Sequence, residues 1–291
     1  MFFLAGRLSL CAVYVYLAQV LGFWEPTRSR MGTGGQDFTS QSVVFSYRFH
    51  RALGSFREPS HLAQWIVPPL ILGWRFDGKR AHMAKAAILA ALALSGSLVG
   101  VLAAAAGFGS LAILNSSKMR GQFVSRLPFL LIVLTGTALL FDIPFWSTIG
   151  ERIQTLASLD PFETNRAYVA EYVATHSPPL LGHGWGNASL MLSAERGLNL
   201  MSSHLNLFVN TYMSLGFLGL GLVVIALGSL ALRAIRLLRG NQAGVDGAPL
   251  VAALIAWDVL FSGQAEIFPM QFSVVAGLIW HLCWLRRTSR N

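Results

Sequence analysis

The side chains able to do chemistry fall in two stretches of this chain. One ends Tyr47-Arg48-Phe49-His50-Arg51-Ala52-Leu53-Gly54-Ser55-Phe56-Arg57-Glu58-Pro59-Ser60-His61. The other runs from Phe162 to Gly219 and holds Arg166, Glu171, Tyr172, the turn Gly182-His183-Gly184-Trp185-Gly186-Asn187, the pair Glu195-Arg196 and the run Ser203-His204-Leu205-Asn206. Segment 23 to 60 carries five arginines, Arg28, Arg30, Arg48, Arg51 and Arg57, against Glu25, Asp37 and Glu58. The planar guanidinium fork fits a phosphate or diphosphate, so anion binding is the chemistry expected there. The competing reading is a set of solvated or lipid-headgroup contacts.

In the second stretch, Asp160-Pro161-Phe162-Glu163 has the cap residue, first-turn proline and closing glutamate of a helix start. Pro178-Pro179 ends that helix, and Arg166 shares a face with Val169, Ala170 and Val173, so it is aimed at a cavity when that face docks. His204 stands just before a long apolar helix, whose positive dipole end disfavours imidazolium and keeps a neutral base available. Its plainer role is an interfacial cap. Were the helix to begin earlier, His204 and Asn206 would point ~200° apart and could not cooperate closely. Glu195 is a weaker alternative base, more simply half of a solvated pair with Arg196. The glycine turn lacks a preceding strand and a following Lys-Ser or Lys-Thr, so it is not a phosphate loop. It reads as a tight turn letting the backbone approach a ligand or a neighbouring helix, or as a plain loop. The spacing of His176, His183 and His204 matches no standard ligand set, so no metal is expected, and no cofactor.

These stretches must be positioned by something apolar. Of 291 residues 54% are hydrophobic and 12% charged, against about 25% charged in a soluble domain. That composition reads as a single all-α membrane domain over 1–291, a polytopic helical bundle. The formal charge of +9 does not point to nucleic acid, because the cations fall in short clusters between apolar spans. Cys11 and Cys283 both lie in such spans, which excludes a disulfide framework or cysteine metal cluster. The amino end has no small-residue cleavage site and suits a spanning helix better than a removable signal.

In order, spans are expected at about Phe2 to Gly22 and His61 to Phe76, the latter broken or kinked at Pro68-Pro69. Residues 82 to 115 should go out and return, turning at Ser95-Gly96-Ser97, with a thin first arm of ~21 Å at 1.5 Å per residue. Spans at Leu127 to Phe141, Leu205 to Leu238, Leu250 to Ala265 and Phe268 to Leu285 complete about eight, with both termini cytoplasmic. Of 22 Lys and Arg, 14 then lie on the cytoplasmic side: Arg7, four in 75 to 85, three in 118 to 126, three in 233 to 239 and three at the end. Loops 23–60 and 143–203 lie outside, the second containing short amphipathic helices. Gly216-Phe217-Leu218-Gly219-Leu220-Gly221 is expected to permit close helix packing or a kink. Asp258, mid-span, is costly in lipid and reads as lining a cavity or pairing within the bundle.

The pattern Arg51-x-x-Gly54-Ser55-Phe56-x-Glu58-Pro59-Ser60, the Leu94-Ser95-Gly96-Ser97 hairpin, Arg166, Gly182-x-Gly184 after Pro178-Pro179, and His204 with Asn206 leading to Gly216-x-x-Gly219 resembles the O-antigen ligase and polysaccharide polymerase family of bacterial inner membranes. The order of the motifs, not any one of them, carries the resemblance, which covers most of the chain. It implies metal-independent transfer of glycan from an undecaprenyl-diphosphate carrier on the periplasmic face. Carried over, His204 and Arg166 are catalytic, His204 acting on the acceptor hydroxyl or orienting the leaving group and Arg166 binding the diphosphate, and Arg51 is a second phosphate clamp. Arg57, Glu58, Gly182, Gly184, Trp185 and Asn206 are substrate-binding; Trp185 stacks on a sugar or anchors at the interface. The chain departs from the pattern where Leu205 separates His204 from Asn206, where Gly96-Ser97 replaces an arginine after the hairpin serine, and in being shorter, as though amino-terminal spans were missing.

The expectation is therefore a polymerase of a surface polysaccharide, a preference resting on the family likeness of Phe56-Arg57-Glu58-Pro59-Ser60. The alternatives are a ligase acting on lipid A core, a transporter using Asp258, and a non-catalytic partner in polysaccharide assembly. The bilayer and other assembly proteins are the remaining expected partners.

Overall fold

The computed structural model describes residues 1–21, 52, 59–114, 172–173, 175–176, 180–184, 187, 206–239, 247–263 and 270–288. Among them the fold is all-helical, with seven helices and no strand. The chain divides into two compact units, Met1–Ile153 and Gln154–Asn291.

The first unit contains α1 (Phe2–Leu21), α2 (Pro59–Leu72), α3 (Lys79–Ser95) and α4 (Leu98–Leu114). Small residues set its packing: a Cβ on Gly6 would lie 2.8 Å from the Cβ of Ala84, so α1 and α3 touch almost backbone to backbone. Further along the same pair, Tyr16 packs with Leu94, so the two helices run parallel. Phe2 lies against Gly73 and Phe76, which makes α2 antiparallel to α1. Ala63 meets Gly100 and Trp74 meets Phe108, so α4 follows the direction of α2.

Arg7, Arg75, Lys79, Arg80 and Lys85 consequently gather at one end of this unit and the Ser95–Ser97 turn lies at the other. Lys85 is buried, and its ammonium donates to the Phe76 carbonyl at 2.6 Å, 5.4 Å from the centroid of the Trp74 ring. A carbonyl just past a helix C-terminus and an aromatic face both favour a cation, offsetting its desolvation.

The turn between α3 and α4 is where the sequence placed it. Gly96 takes the left-handed conformation (φ 53°, ψ 29°) that ends α3. The Ser95 hydroxyl oxygen accepts from the Ser97 amide at 3.2 Å, and Ser97 caps α4 by accepting from the Gly100 amide at 3.2 Å. The expected break at Pro68-Pro69 is not made, since α2 continues through both prolines to Leu72. Proline's fixed φ is itself helical, so the helix passes through at the cost of two missing donors and of crowding between each ring and the carbonyl four residues earlier.

The second unit contains α5 (Leu207–Arg239), α6 (Ala248–Gly263) and α7 (Met270–Thr288), close to the expected bounds. The Asn206 side chain, at the start of α5, donates to the Ser262 carbonyl at the end of α6 (3.1 Å), so these helices are antiparallel. At the far end of α5, Arg233 lies 3.5 Å from the centroid of the Trp280 ring on α7, and Cys283 Sγ donates to the Arg233 carbonyl at 3.5 Å. α5 and α7 are therefore parallel, and the basic ends of both fall on one side. Trp257, Phe261 and Phe272 form the aromatic contact between α6 and α7, with edge-on ring centroids 5.5 and 5.1 Å apart.

Among the described helices, α5 is the one long and apolar enough to cross a membrane, over Leu207–Leu237. Shorter apolar helices are Phe2–Ala18, Leu98–Leu114, Ala248–Gly263 and Phe272–Cys283.

The Gly6 contact makes a direct prediction. Gly6→Val should destabilise the purified protein by about 1–3 kcal/mol through overpacking. Gly109→Ala, where a Cβ meets nothing within 4 Å, should leave the thermal midpoint unchanged or raised.

Candidate functional site

The chemistry-bearing motifs meet a broken helix. In an unbroken α5 the Met213 carbonyl would accept from Phe217 and the Ser214 carbonyl from Leu218, four residues on. At Gly216 the backbone leaves the helix (φ 66°, ψ −161°), a conformation essentially restricted to glycine. The turn at 180–184 then makes the bonds that the ladder gives up. His183 N–H donates to the Met213 carbonyl at 2.9 Å, Gly184 N–H to the Ser214 carbonyl at 2.9 Å, and Leu218 N–H to the Leu180 carbonyl at 3.4 Å.

This exchange needs a turn without a side chain. A Cβ on Gly182 would lie 2.5 Å from the nitrogens of Leu215 and Gly216 and from the carbonyl carbon of Ser214, and its φ of 72° disfavours any other residue. Asn187 closes the turn, its amide nitrogen donating to the His183 carbonyl at 2.9 Å and its backbone N–H to the Gly184 carbonyl at 3.2 Å. The close approach expected of the glycine turn is thus an approach to α5. The kink expected at Gly216 is a break with a partner.

Asn206 lies at the entrance of α5. Its side-chain oxygen accepts from the Val209 amide at 2.8 Å while its amide donates to Ser262, so it caps one helix and ties it to another. It was expected to bind substrate; in the structure both its polar atoms hold helices. Asn210 and Ser214 follow at successive four-residue steps, placing all three on one face, with the Ser214 hydroxyl 3.4 Å from Asn210 Oδ1. Buried Thr211 and Ser214 bring this polar stripe down to the break. Asn210, Thr211 and Ser214 were not among the sequence candidates. The four-residue polar spacing in an otherwise apolar helix was the signal that marks them.

Upstream of the turn, Tyr172 is buried and stacks on the His176 ring at 4.4 Å, and His176 Nδ1 lies 2.9 Å from the Thr175 hydroxyl. The His176 amide donates to the Tyr172 carbonyl, as the last turn of the helix expected there would require.

In the first unit, Ala52 N–H donates to the Leu94 carbonyl at 2.9 Å, and Ala52 is buried with Tyr16 and Leu94. The residue after Arg51 is therefore pinned to the Ser95–Ser97 hairpin, at the end opposite the basic cluster. His204, Arg166, Arg51, Arg57, Glu58 and Trp185, and the segments 115–171 and 188–205, lie outside the described residues. α5 begins three residues after His204. Asp258 is exposed on α6 and forms no hydrogen bond or ion pair with a described residue.

No family model, curated protein or solved structure matches the chain.

The two glycines of the turn should respond differently to a methyl group. Gly182→Ala meets backbone and should cost at least about 2 kcal/mol, since it displaces bonds worth about 1–3 kcal/mol each when left unmade. Gly184→Ala meets only the Asn187 amide, at 3.0 Å, and should cost less despite its φ of 97°. Thermal unfolding in detergent, with proteolysis at 180–187 as a local readout, orders the two variants.

Proposed function

We propose that this chain is a bacterial inner-membrane glycosyltransferase of about eight spans that polymerises undecaprenyl-diphosphate-linked repeat units of a surface polysaccharide on the periplasmic face. The observation that carries the reading is the joining of Gly182-x-Gly184 to the Gly216 break. Two motifs of the pattern shared with the ligase and polymerase family, far apart in sequence, meet backbone to backbone. A second pair from the same pattern, the Arg51 segment and the Leu94–Ser97 hairpin, is joined at Ala52.

The membrane part of the reading is supported by the exposure of α5. Only 17% of its most apolar window is buried, the reverse of a soluble core helix. In each unit the described cations cluster at one end and the motif contacts lie at the other, the distribution that the positive-inside rule gives a spanning bundle. A backbone break is tolerable at membrane depth only where protein satisfies it, as the turn does at Gly216.

In the reaction, the acceptor sugar's hydroxyl oxygen attacks the anomeric carbon of the carrier-linked chain. The bond from that carbon to the diphosphate oxygen breaks, and its electron pair leaves on undecaprenyl diphosphate. His204 takes the hydroxyl proton as base. Arg166 neutralises the charge developing on the diphosphate. Transfer to lipid A core, the ligase variant, uses the same groups with a different acceptor.

One observation favours a second reading. Asp258 is exposed at mid-helix without a described partner, as a carboxylate in a transport pathway would be.

Glycan profiles of cells lacking the gene separate these readings. Complementation by His204→Ala or Arg166→Ala should reduce polymer by at least about 100-fold, the scale of a lost general base, with the protein still in the membrane. Single carrier-linked units should accumulate; long carrier-linked chains would mark a ligase instead. Asp258→Asn should keep most polymer, and its loss with both other variants active would move the assignment to a transporter.

A further inference from the structure

At the basic end of the first unit three aromatic rings form a platform that the transferase chemistry does not use. Phe3 and Phe76 stack with centroids 6.3 Å apart and planes 5° from parallel, and each is 51% exposed. Phe2 stands edge-on to both, at 5.2 and 5.6 Å. Exposed Arg7, Lys79 and Arg80 lie at the same end, and none of the three pairs with a described residue. Asp77 is the one described carboxylate there.

The geometry points to a binding site for anionic phospholipid headgroups formed by Phe3, Phe76, Lys79, Arg80 and Arg7. This inference rests on the membrane reading above and adds a ligand class to it. α1 exposes Leu4, Leu10 and Tyr14 beyond Phe3, so its outer face is apolar along much of its length. Arg7 apart, the exposed side chains run from Leu10 and Leu4 to Phe3 and Phe76 and then to Lys79 and Arg80 toward the basic end of the unit. That is the order of acyl chain, interface and phosphate in a lipid leaflet. Arg7 lies more than one turn inside α1, where its long stem can cover apolar surface while the guanidinium reaches the headgroup level. A soluble acidic partner would satisfy the cations and leave the stacked rings and the apolar face below them wet. A lipid covers both.

The test is native mass spectrometry of the full-length protein in neutral detergent, titrated with short-chain phosphatidylglycerol or phosphatidylcholine. Phosphatidylglycerol should bind preferentially and in a salt-sensitive way. Lys79→Gln with Arg80→Gln should weaken it by about fivefold per charge removed, the worth of one basic residue at an anionic surface. Arg236→Gln, a charge removed from α5 in the other unit, should change it less. Equal binding of the two lipids would overturn the site, as would retention of the preference in the double variant or an equal loss in Arg236→Gln. Should the double variant fold poorly, the salt dependence of the wild type decides, since a neutral site would not be screened. Recovery of the wild type in carbonate-washed membranes is scored separately, so failure of the membrane reading is distinguishable from failure of this site.

Discussion

Inside an apolar helical unit, every backbone amide and carbonyl released from one ladder has to find another. The break at Gly216 frees backbone groups on both sides of it, and the 180–184 turn takes up the carbonyls of Met213 and Ser214 and the amide of Leu218. The bonds run in both directions, two donated by the turn and one accepted, so the turn acts as a short splice in the helix. This fixes the position of Gly182 against Gly216 and holds the first part of α5, which starts just after His204, in a defined relation to the turn. At about 1–3 kcal/mol for each group left unpaired, the splice and the break stand or fall together.

The first unit uses a different device. Parallel α1 and α3 are brought together by Gly6 and Ala84, and the hairpin at Ser95–Ser97 is closed by its own serine hydroxyls and by Gly96. Ala52 then adds its amide to the Leu94 carbonyl next to that turn. A loop residue with a buried side chain and a backbone bond is a fixed point beside the hairpin.

Helical class, the positions of α1, α5, α6 and α7, and the Ser95–Ser97 turn were legible in sequence, because long apolar runs bounded by cations and a Ser-Gly-Ser punctuation leave few alternatives. Of the break or kink expected at Pro68-Pro69 the break is absent: proline's missing donor is a strong signal of disruption, but only three residues of α2 follow it. The splice at Gly216 was visible only as two glycine motifs, since nothing local to either states that its partner is the other. Asn206 caps α5 and ties it to α6, roles that its residue type alone does not separate from ligand recognition. The polar stripe through Asn210 and Ser214 is marked in sequence by its four-residue spacing, whereas the exposure of Asp258 depends on which face of α6 is covered, which an apolar sequence with little amphipathic contrast does not encode.

Hydrogen–deuterium exchange on peptides spanning 180–187, with the protein in detergent or nanodiscs, reports on the splice most directly. If His183 and Gly184 donate to the Met213 and Ser214 carbonyls, their amides should be protected to the level of the α5 core. Exchange at the rate of a solvated loop, with α5 itself protected, would contradict the account.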